Sequence, residues 1–175
     1  MSPELLNNSS ASALPWVVQK FGGTSVGKFP DKIARDIVRD YLARKRVIVV
    51  CSARSTGKKA EGTTSRLLVV FEKLDAISAM PCQVDAQSAL LQEAKELIHA
   101  ICSDHVAAAQ TFVKDDALRA ELSSQIEAEC HELLEYIIAA KRFNLEANSR
   151  SKDRIISIGE KLSCKFMAYL LKDTG

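Results

Sequence analysis

The stretch that decides the fold is VVQKFGGTSVGK, residues 17–28. It opens with clustered apolar residues, as a short buried strand does, and the glycine pair Gly22-Gly23 then ends that pattern. A glycine pair lets the backbone pass close to a ligand and turn its N–H groups outward. The pattern therefore predicts a strand that runs directly into a glycine turn.

The helix that follows makes this turn a predicted anion site. Residues 29–31, Phe-Pro-Asp, mark the helix entry, and Pro30 suits its first turn. Unpaired N–H groups at a helix N-terminus and the helix dipole both favour negative charge. Thr24 and Ser25 add hydroxyl donors, and Lys20 places a full positive charge at the end of the strand. We predict that the site binds phosphate.

Composition is that of an ordinary globular protein. The 175 residues are 47% hydrophobic and 26% charged, with a net charge of +2. This balance predicts no polyanion-binding surface, so we expect no nucleic-acid partner. No apolar run reaches the ~18 residues of a membrane-spanning helix. Residues 1–14 lack the order of a signal peptide, so we expect a disordered tail there, no membrane partner and a cytoplasmic location.

A second strand is predicted at residues 47–51, VIVVC, an unbroken apolar run typical of a strand buried on both faces. Residues 31–45, between the two strands, carry apolar residues at helical spacing. Strand, helix and strand in this order predict a βαβ unit with parallel pairing and an α/β fold. Residues 52–63 are then predicted as a loop at the carboxyl end of the second strand, where open α/β sheets bind ligands.

The rest of the chain is predicted to be mostly helical. Thr64 or Ser65 is the candidate N-cap of a helix that ends near residues 80–81, Met-Pro. Residues 84–114 and 117–143 are free of glycine and proline, and they predict an antiparallel helical hairpin with a cap at residues 115–116, Asp-Asp. After a polar connection, residues 153–171 carry an apolar face at helical spacing, which predicts a last helix.

The histidines and cysteines are assigned no chemistry. The histidines lie on the predicted hairpin, and we expect surface or boundary positions for all three: His99, His105 and His131. No Cys or His lies at metal-ligand spacing, so we expect no protein metal site. Cys51 and Cys164 flank candidate site residues, and a buried apolar environment is the favoured interpretation of both. The five cysteines are widely spaced, which favours reduced thiols.

The predicted sheet is too small to be complete. Two parallel strands do not make a stable sheet in water. The last predicted helix would return the chain to a third parallel strand, and no residue follows Gly175 to form one. We therefore expect the N-terminal part of a longer protein. The alternative is a small, mostly helical domain with a two-stranded ribbon.

Four segments, in this order, resemble one protein family. KFGGTSV at 20–26 resembles the N-terminal signature of the aspartate kinases, within the amino-acid kinase family. VVCSA at 49–53 resembles that family's second strand and its Ser-Ala turn. GTTSRLL at 62–68 is similar to the segment that holds a substrate-contacting threonine, and SIGEKLS at 157–163 resembles the Gly-Glu-x-Leu-Ser motif. The long helices and the sequence AEGTTSR at 60–66 resemble the fungal form of these kinases.

The resemblance implies a fold and an activity. The fold is the N-terminal part of a three-layer amino-acid-kinase domain with parallel strands, over residues 15–175, plus a long helical hairpin insertion at about 84–143. Aspartate kinases phosphorylate the side-chain carboxylate of L-aspartate with ATP and Mg²⁺, the first step toward threonine, methionine and, in many organisms, lysine. The resemblance also implies a homo-oligomer at full length, and the chain alone is expected to be inactive.

The resemblance also assigns roles to residues. Lys20 bridges the γ-phosphate as charge builds in the transition state, while the phosphate oxygens are cradled by Gly22, Gly23, Thr24 and Ser25. Ser52 and Thr64 contact aspartate, with Thr63 as the substitute for Thr64. Glu160 forms a salt bridge with the α-ammonium group of aspartate.

Two other interpretations fit parts of the sequence. Residues 22–28, GGTSVGK, fit the P-loop pattern G-x-x-x-x-G-K, which would make Lys28 the phosphate lysine. However, Phe29 stands where the pattern needs a hydroxyl for Mg²⁺, and Pro30 follows at once. The other alternative is a non-catalytic helical interaction module. The sequence beyond Gly175 would distinguish such a module from an enzyme.

Overall fold

A two-stranded parallel sheet opens the fold in the computed structural model, which describes residues 13–57, 62–80 and 82–175. β1 (Trp16–Phe21) pairs with β2 (Arg46–Cys51) in a register that places Lys20 beside Val50 and Phe21 beside Cys51. The predicted parallel pairing is confirmed, and both strands therefore end at the same edge of the sheet. Most of the predicted disordered tail, residues 1–12, lies outside the described residues.

The connection between the strands turns helical sooner than predicted. α1 (Gly23–Lys28) begins immediately after Gly22, whereas the sequence placed the first helix entry at Pro30. A π-helical segment (Lys32–Val38) and α2 (Arg39–Leu42) follow. The short α1 was missed because glycine in a helix is unfavourable by roughly 1 kcal/mol relative to alanine, so a glycine pair predicts a turn.

The sheet is covered on one face only within the described residues. Val47 and Cys51 of β2 are buried, but Ile48 and Val50 are 45% and 43% exposed. The prediction that β2 is buried on both faces is therefore wrong. The described helices pack against one face, and the side chains alternate between that face and the open one.

Four longer helices form the rest of the fold: α3 (Thr63–Ala79), α4 (Val84–Phe112), α5 (Asp116–Arg142) and α6 (Ser149–Thr174). All four were predicted, but some ends differ. Gly62 occupies the N-cap position of α3, so the predicted caps at Thr64 and Ser65 are wrong. The cap predicted at the α4–α5 turn is confirmed, because the Asp115 carboxylate accepts a hydrogen bond from the Leu118 N–H at 2.8 Å. Pro81 lies outside the described residues.

α6 begins earlier than its apolar pattern predicted. Asn148 and Ser151 form a reciprocal capping box, in which each side chain accepts a hydrogen bond from the other's backbone N–H. Such a box satisfies N–H groups that lack intrahelical acceptors. The predicted polar connection over residues 145–152 is therefore partly helical.

α6 lies at the centre of the fold. It contacts β2, the π-helical segment, α3, α4 and α5. Its fully buried apolar residues follow the predicted helical spacing: Ile155, Leu162, Phe166 and Leu170. Burying one such side chain contributes roughly 1.5–3 kcal/mol, so this stripe fixes α6 against its neighbours. No described helix combines the length and apolarity that crossing a bilayer would need.

Candidate active site

Three glycines approach the loop after β2 closely. A Cβ at Gly23 would lie 2.0 Å from the Ala53 carbonyl oxygen, and one at Gly27 would lie 2.1 Å from the Ser55 carbonyl oxygen. On the other side, a Cβ at Gly159 of α6 would lie 2.9 Å from the Ala53 Cβ. The backbone of the β2 loop (residues 52–57) therefore occupies the space that side chains at Gly23 and Gly27 would need, and the Ala53 side chain occupies part of that space at Gly159.

Hydrogen bonds tie the β2 loop to its neighbours. The Ser52 N–H donates to the Phe21 carbonyl at 3.0 Å, which continues the pairing of the two strands past Cys51. The Ser55 N–H donates to the Gly23 carbonyl at 3.0 Å, at the start of α1. The loop is thus held at the carboxyl edge of the sheet, where parallel α/β sheets bind ligands.

Arg54 connects the same loop to two further helices through its backbone. Its N–H donates to the Ser163 hydroxyl oxygen of α6 at 2.8 Å. Its carbonyl accepts from the Thr63 hydroxyl at 2.9 Å and from the Thr63 N–H at 3.3 Å. Because Gly159 also packs on this loop, the structure brings together all four sequence segments that carry the family resemblance.

Gly22 differs from its neighbour. A Cβ at Gly22 would meet no atom within 4 Å, and its backbone is extended, with φ −70° and ψ 156°. Packing explains glycine at position 23 but not at position 22. The first N–H groups of α1 lie beside this open backbone, and helix geometry leaves such groups without intrahelical acceptors. Thr24 is exposed and Ser25 half-buried at the same turn.

Lys20 lies on the open face of the sheet. Its side chain is exposed beside Val50, and no described carboxylate forms an ion pair with it. Side chains alternate along a strand, and the Ser52 N–H continues the ladder, so Ser52 follows Val50 on the face of Lys20. We therefore expect the amine of Lys20 and the hydroxyl of Ser52 to lie at the same end of one face of the sheet.

The two threonines at the start of α3 differ in exposure and in hydrogen bonding. Thr63 is 2% exposed, and its hydroxyl is engaged with the Arg54 carbonyl. Thr64 is exposed in the first turn of the helix. Because the Thr63 hydroxyl serves the loop, this geometry favours Thr64 over Thr63 as the threonine that can meet a ligand.

Glu160 stands next to the glycine that packs on the β2 loop. It is exposed and forms no ion pair with another described residue, whereas the following lysine, Lys161, pairs with Glu129 at 2.5 Å. Its carboxylate is therefore available for a cationic ligand group. That Glu160 and Lys20 face one cleft stays a prediction.

Several residues were misjudged or missed from the sequence. His105 is 1% exposed, so the surface or boundary position predicted for it is wrong. Burial lowers the pKa of His105 to about 4, although its hydrogen bond with the Ile101 carbonyl opposes the shift. Cys51 is buried, and burial raises the pKa of its thiol to about 11, but Cys164 is exposed, contrary to prediction. Arg54 was missed because its partners are distant in sequence.

The structure also decides against the P-loop interpretation. In a P-loop, the lysine lies where the helix begins and reaches the phosphates with the loop glycines. Here Lys28 is the last residue of α1, at the opposite end from Gly22. Gly27, which the pattern would assign to the phosphate loop, instead packs on the Ser55 carbonyl.

Comparison with known proteins identifies the family of this chain. A family model described as "Amino acid kinase family" matches residues 15–175. The chain is 49% identical over 158 residues to the aspartate kinase FUB3 of Gibberella moniliformis. The aligned region covers 90% of this chain and 31% of that protein. It is 46% identical to the aspartokinase of Schizosaccharomyces pombe and 43% identical to that of Saccharomyces cerevisiae, covering 91% of this chain and 28% of each relative. The chain thus spans about three tenths of the length of these relatives, and it belongs to the amino acid kinase family.

Proposed function

We propose that this chain is the N-terminal part of an aspartate kinase. The reaction is transfer of the γ-phosphoryl group of ATP to the side-chain carboxylate of L-aspartate. The observation that carries the proposal is the meeting of four family-like segments around the β2 loop. Next to them lie an open glycine turn and Lys20, which forms no ion pair with another described residue. Relatives that are 43% to 49% identical over this region are named aspartokinase or aspartate kinase, which supports the same substrate.

The glycine turn and Lys20 form the phosphate side of the proposed site. Phosphoryl transfer to a carboxylate brings two anions together, so the enzyme must neutralise charge as the reactants meet. Lys20 supplies a full positive charge that acts on the γ-phosphate in the transition state. The phosphate oxygens are received by backbone N–H and hydroxyl groups of Gly22, Gly23, Thr24 and Ser25. The open space at Gly22 is the room that such an approach needs.

Ser52, Thr64 and Glu160 form the aspartate side. The hydroxyls of Ser52 and Thr64 donate hydrogen bonds to the carboxylates of the substrate. Glu160 pairs with its α-ammonium group, which takes no part in the chemistry. This division predicts that Glu160 acts mainly on substrate binding and Lys20 mainly on turnover.

ATP and Mg²⁺ complete the proposed reaction. Protein sites commonly hold Mg²⁺ through one or two carboxylates together with substrate phosphates. In the described ranges, no three His, Cys, Asp or Glu side chains gather closely enough to hold a metal ion. We propose that Mg²⁺ is bound mainly by the ATP phosphates, where it would neutralise part of their charge.

The same proposal covers the domain architecture, the location, the oligomeric state and the pathway of the enzyme. We place the chain in a three-layer kinase domain that includes residues 15–175, with α4 and α5 as a helical insertion at about 84–143. The full-length enzyme is proposed to be a cytoplasmic homo-oligomer. It would catalyse the first step toward threonine and methionine and, in many organisms, lysine.

The test is an assay on the full-length protein that contains this chain. ADP release should require L-aspartate, and hydroxylamine should trap the acyl phosphate product as a hydroxamate. N-acetyl-L-aspartate, which lacks the α-ammonium charge, is the matched acceptor and should react poorly.

Glu160→Gln should raise the aspartate KM by about tenfold and leave the ATP KM within about twofold, because a charge-assisted contact to a group that does not react is lost. ADP release that is independent of aspartate would contradict the proposed function. A Glu160→Gln variant that is affected only in its ATP KM would contradict the role of Glu160.

A further inference from the structure

A charged cluster joins α4 to the β2 loop, although none of the four family-like segments includes α4. The Asp104 cluster consists of Arg54 in the loop, Arg66 in α3, and Asp104 and His105 in α4. Arg66 Nη2 donates to Asp104 Oδ2 at 2.6 Å. Arg54 Nη1 donates to the Asp104 carbonyl oxygen at 3.3 Å. One residue of α4 therefore binds two arginines from the two walls of the candidate substrate site.

Both arginines are close to proposed aspartate-binding residues. Arg54 follows Ser52 by two positions, and its carbonyl holds Thr63 at the start of α3. Arg66 follows Thr64 by two positions in the first turns of that helix. The cluster thus connects the segment that carries Ser52 to the segment that carries Thr64, with α4 as the common support.

The cluster lies partly away from water. The Arg66 side chain is 20% exposed, whereas that of Asp104 is 53% exposed. Burial lowers the pKa of the Arg54 guanidinium, and the negative charge of Asp104 counteracts this. His105, next to Asp104, is buried. The Asp104 carboxylate pairs with Arg66, and its negative charge also acts on Arg54, which donates to the Asp104 backbone carbonyl. Removing the carboxylate would leave the two guanidinium groups facing each other without their counter-charge.

We infer that Asp104 is a positioning residue for the aspartate side of the site. Through Arg66 and Arg54 it holds the α3 N-terminus and the β2 loop at the spacing in which Ser52 and Thr64 bind one substrate. It touches no reacting atom, and the inference rests on the proposed function. It gives α4 a role in positioning the substrate-binding residues. Such a role can matter, because misplacing a binding group by about 1 Å can cost on the order of 100-fold in rate.

The chain offers a matched control for this inference. Lys73 and Glu93 form another ion pair between α3 and α4, and the Glu93 side chain is 56% exposed, close to the value for Asp104. Among the described residues, neither Lys73 nor Glu93 forms a hydrogen bond or ion pair with the β2 loop. Asp104→Asn and Glu93→Gln therefore each remove one α3–α4 ion pair. Only the first also removes the negative charge that acts on Arg54 of the β2 loop, while the hydrogen bond from Arg54 to the Asp104 carbonyl stays possible in both variants.

The experiment compares both variants in the full-length protein. Asp104→Asn should raise the aspartate KM by about 3- to 10-fold with the ATP KM unchanged within about twofold, whereas Glu93→Gln should change neither. Asp104→Glu should recover part of the loss, because it keeps the charge. In the Arg66→Gln background, Asp104→Asn should raise the KM little further, since the two residues act as one unit.

Amide hydrogen exchange gives a measurement that does not depend on activity. Peptides covering residues 52–57 should exchange faster in Asp104→Asn than in Glu93→Gln, with the melting temperatures of the two variants within a few degrees. Equal exchange and equal aspartate KM in the two variants would overturn the inference. A wild-type protein that does not phosphorylate aspartate would instead refute the proposed function, and the exchange comparison would still show whether Asp104 orders the loop.

Discussion

At the scale of the residue, Lys20 and Lys28 are two lysines of one motif in different surroundings. Lys20 is exposed at the end of β1, next to the open Gly22 turn, while Lys28 ends α1 on the far side. Their sequence context alone allowed either of them to be a phosphate ligand. The position of α1 separates them, because the glycine turn lies at the N-terminus of this helix and Lys28 at its C-terminus.

The two lysines should therefore respond differently to substitution. In the full-length protein, Lys20→Ala should lower kcat by about 100-fold or more with a modest change in ATP KM, because its charge acts mainly in the transition state. Lys28→Ala should stay within about twofold of wild type. Steady-state kinetics with ATP and aspartate provide the measurement. A severe Lys28→Ala defect, or a Lys20→Ala effect confined to KM, would contradict these roles.

His105 gives the protein a predicted pH dependence. Burial lowers its pKa from 6.5 to about 4, so the unfolded chain takes up a proton on this histidine at a higher pH than the folded chain does. Well above pH 6.5 this histidine is neutral in both states, and its contribution to stability is fully present. As the pH falls from 6.5 toward 4, His105 should remove up to about 3 kcal/mol from the free energy of unfolding.

The test uses His105→Gln, which cannot take up this proton. Between pH 7 and pH 4.5, the melting temperature of this variant should fall by about 5 °C less than that of wild type. His99→Gln is the matched control on the same helix, since His99 is exposed. If His105→Gln and wild type lose the same number of degrees over this range, the histidine is not held neutral by burial.

At the scale of the element, α1 shows how two adjacent glycines serve different purposes. Gly23 has no room for a Cβ because the Ala53 carbonyl oxygen lies in that space. Gly22 has room and an extended backbone that any residue adopts. The first glycine therefore leaves space at the candidate phosphate site, and the second allows α1 to pack on the β2 loop.

Alanine substitutions should separate these purposes. Gly23→Ala should destabilise the protein by about 1–3 kcal/mol or more, since a forced contact with backbone cannot be relieved by a side-chain movement. Gly22→Ala should leave the melting temperature nearly unchanged and raise the ATP KM, because the new methyl group occupies the approach to the turn. Thermal denaturation and ATP kinetics measure both effects. A Gly22→Ala variant with unchanged ATP KM would count against a phosphate role for this turn.

At the scale of the whole molecule, the open face of the sheet is the dominant feature. It presents Trp16, Val18, Ile48 and Val50, of which Val18 is 62% exposed. Contiguous apolar surface of this kind and unpaired strand edges both favour association. Lys20 stands on the same face, so the candidate site borders this surface.

We predict that residues 1–175 expressed alone self-associate and lack aspartate kinase activity. The reason is the exposed sheet face, together with the few contacts that a glycine turn and one lysine offer to a nucleotide. Light scattering after size exclusion should give masses above 19.2 kDa, and the double substitution Val18→Lys with Ile48→Lys should shift the protein toward the monomer. A monodisperse wild-type monomer with aspartate-dependent turnover would disprove this prediction.

The sequence alone determined the elements whose causes are local. Apolar spacing and breaks at glycine or proline predicted the strand that ends just before Gly22, the parallel second strand and the long helices. The cap at Asp115 follows from side-chain chemistry within one turn of helix. Local patterns also predicted Lys20 and the glycine turn as the phosphate site, which stays a prediction.

Only the tertiary structure decided which residues share a location. The Asp104 cluster joins residues separated by 38 and 50 positions, and no local pattern links Arg54 or Arg66 to α4. The burial of His105 and the different roles of Gly22 and Gly23 likewise depend on what packs against them. Propensity and periodicity describe one segment at a time, whereas burial, close approach and charge pairing are properties of two segments that the fold brings into contact.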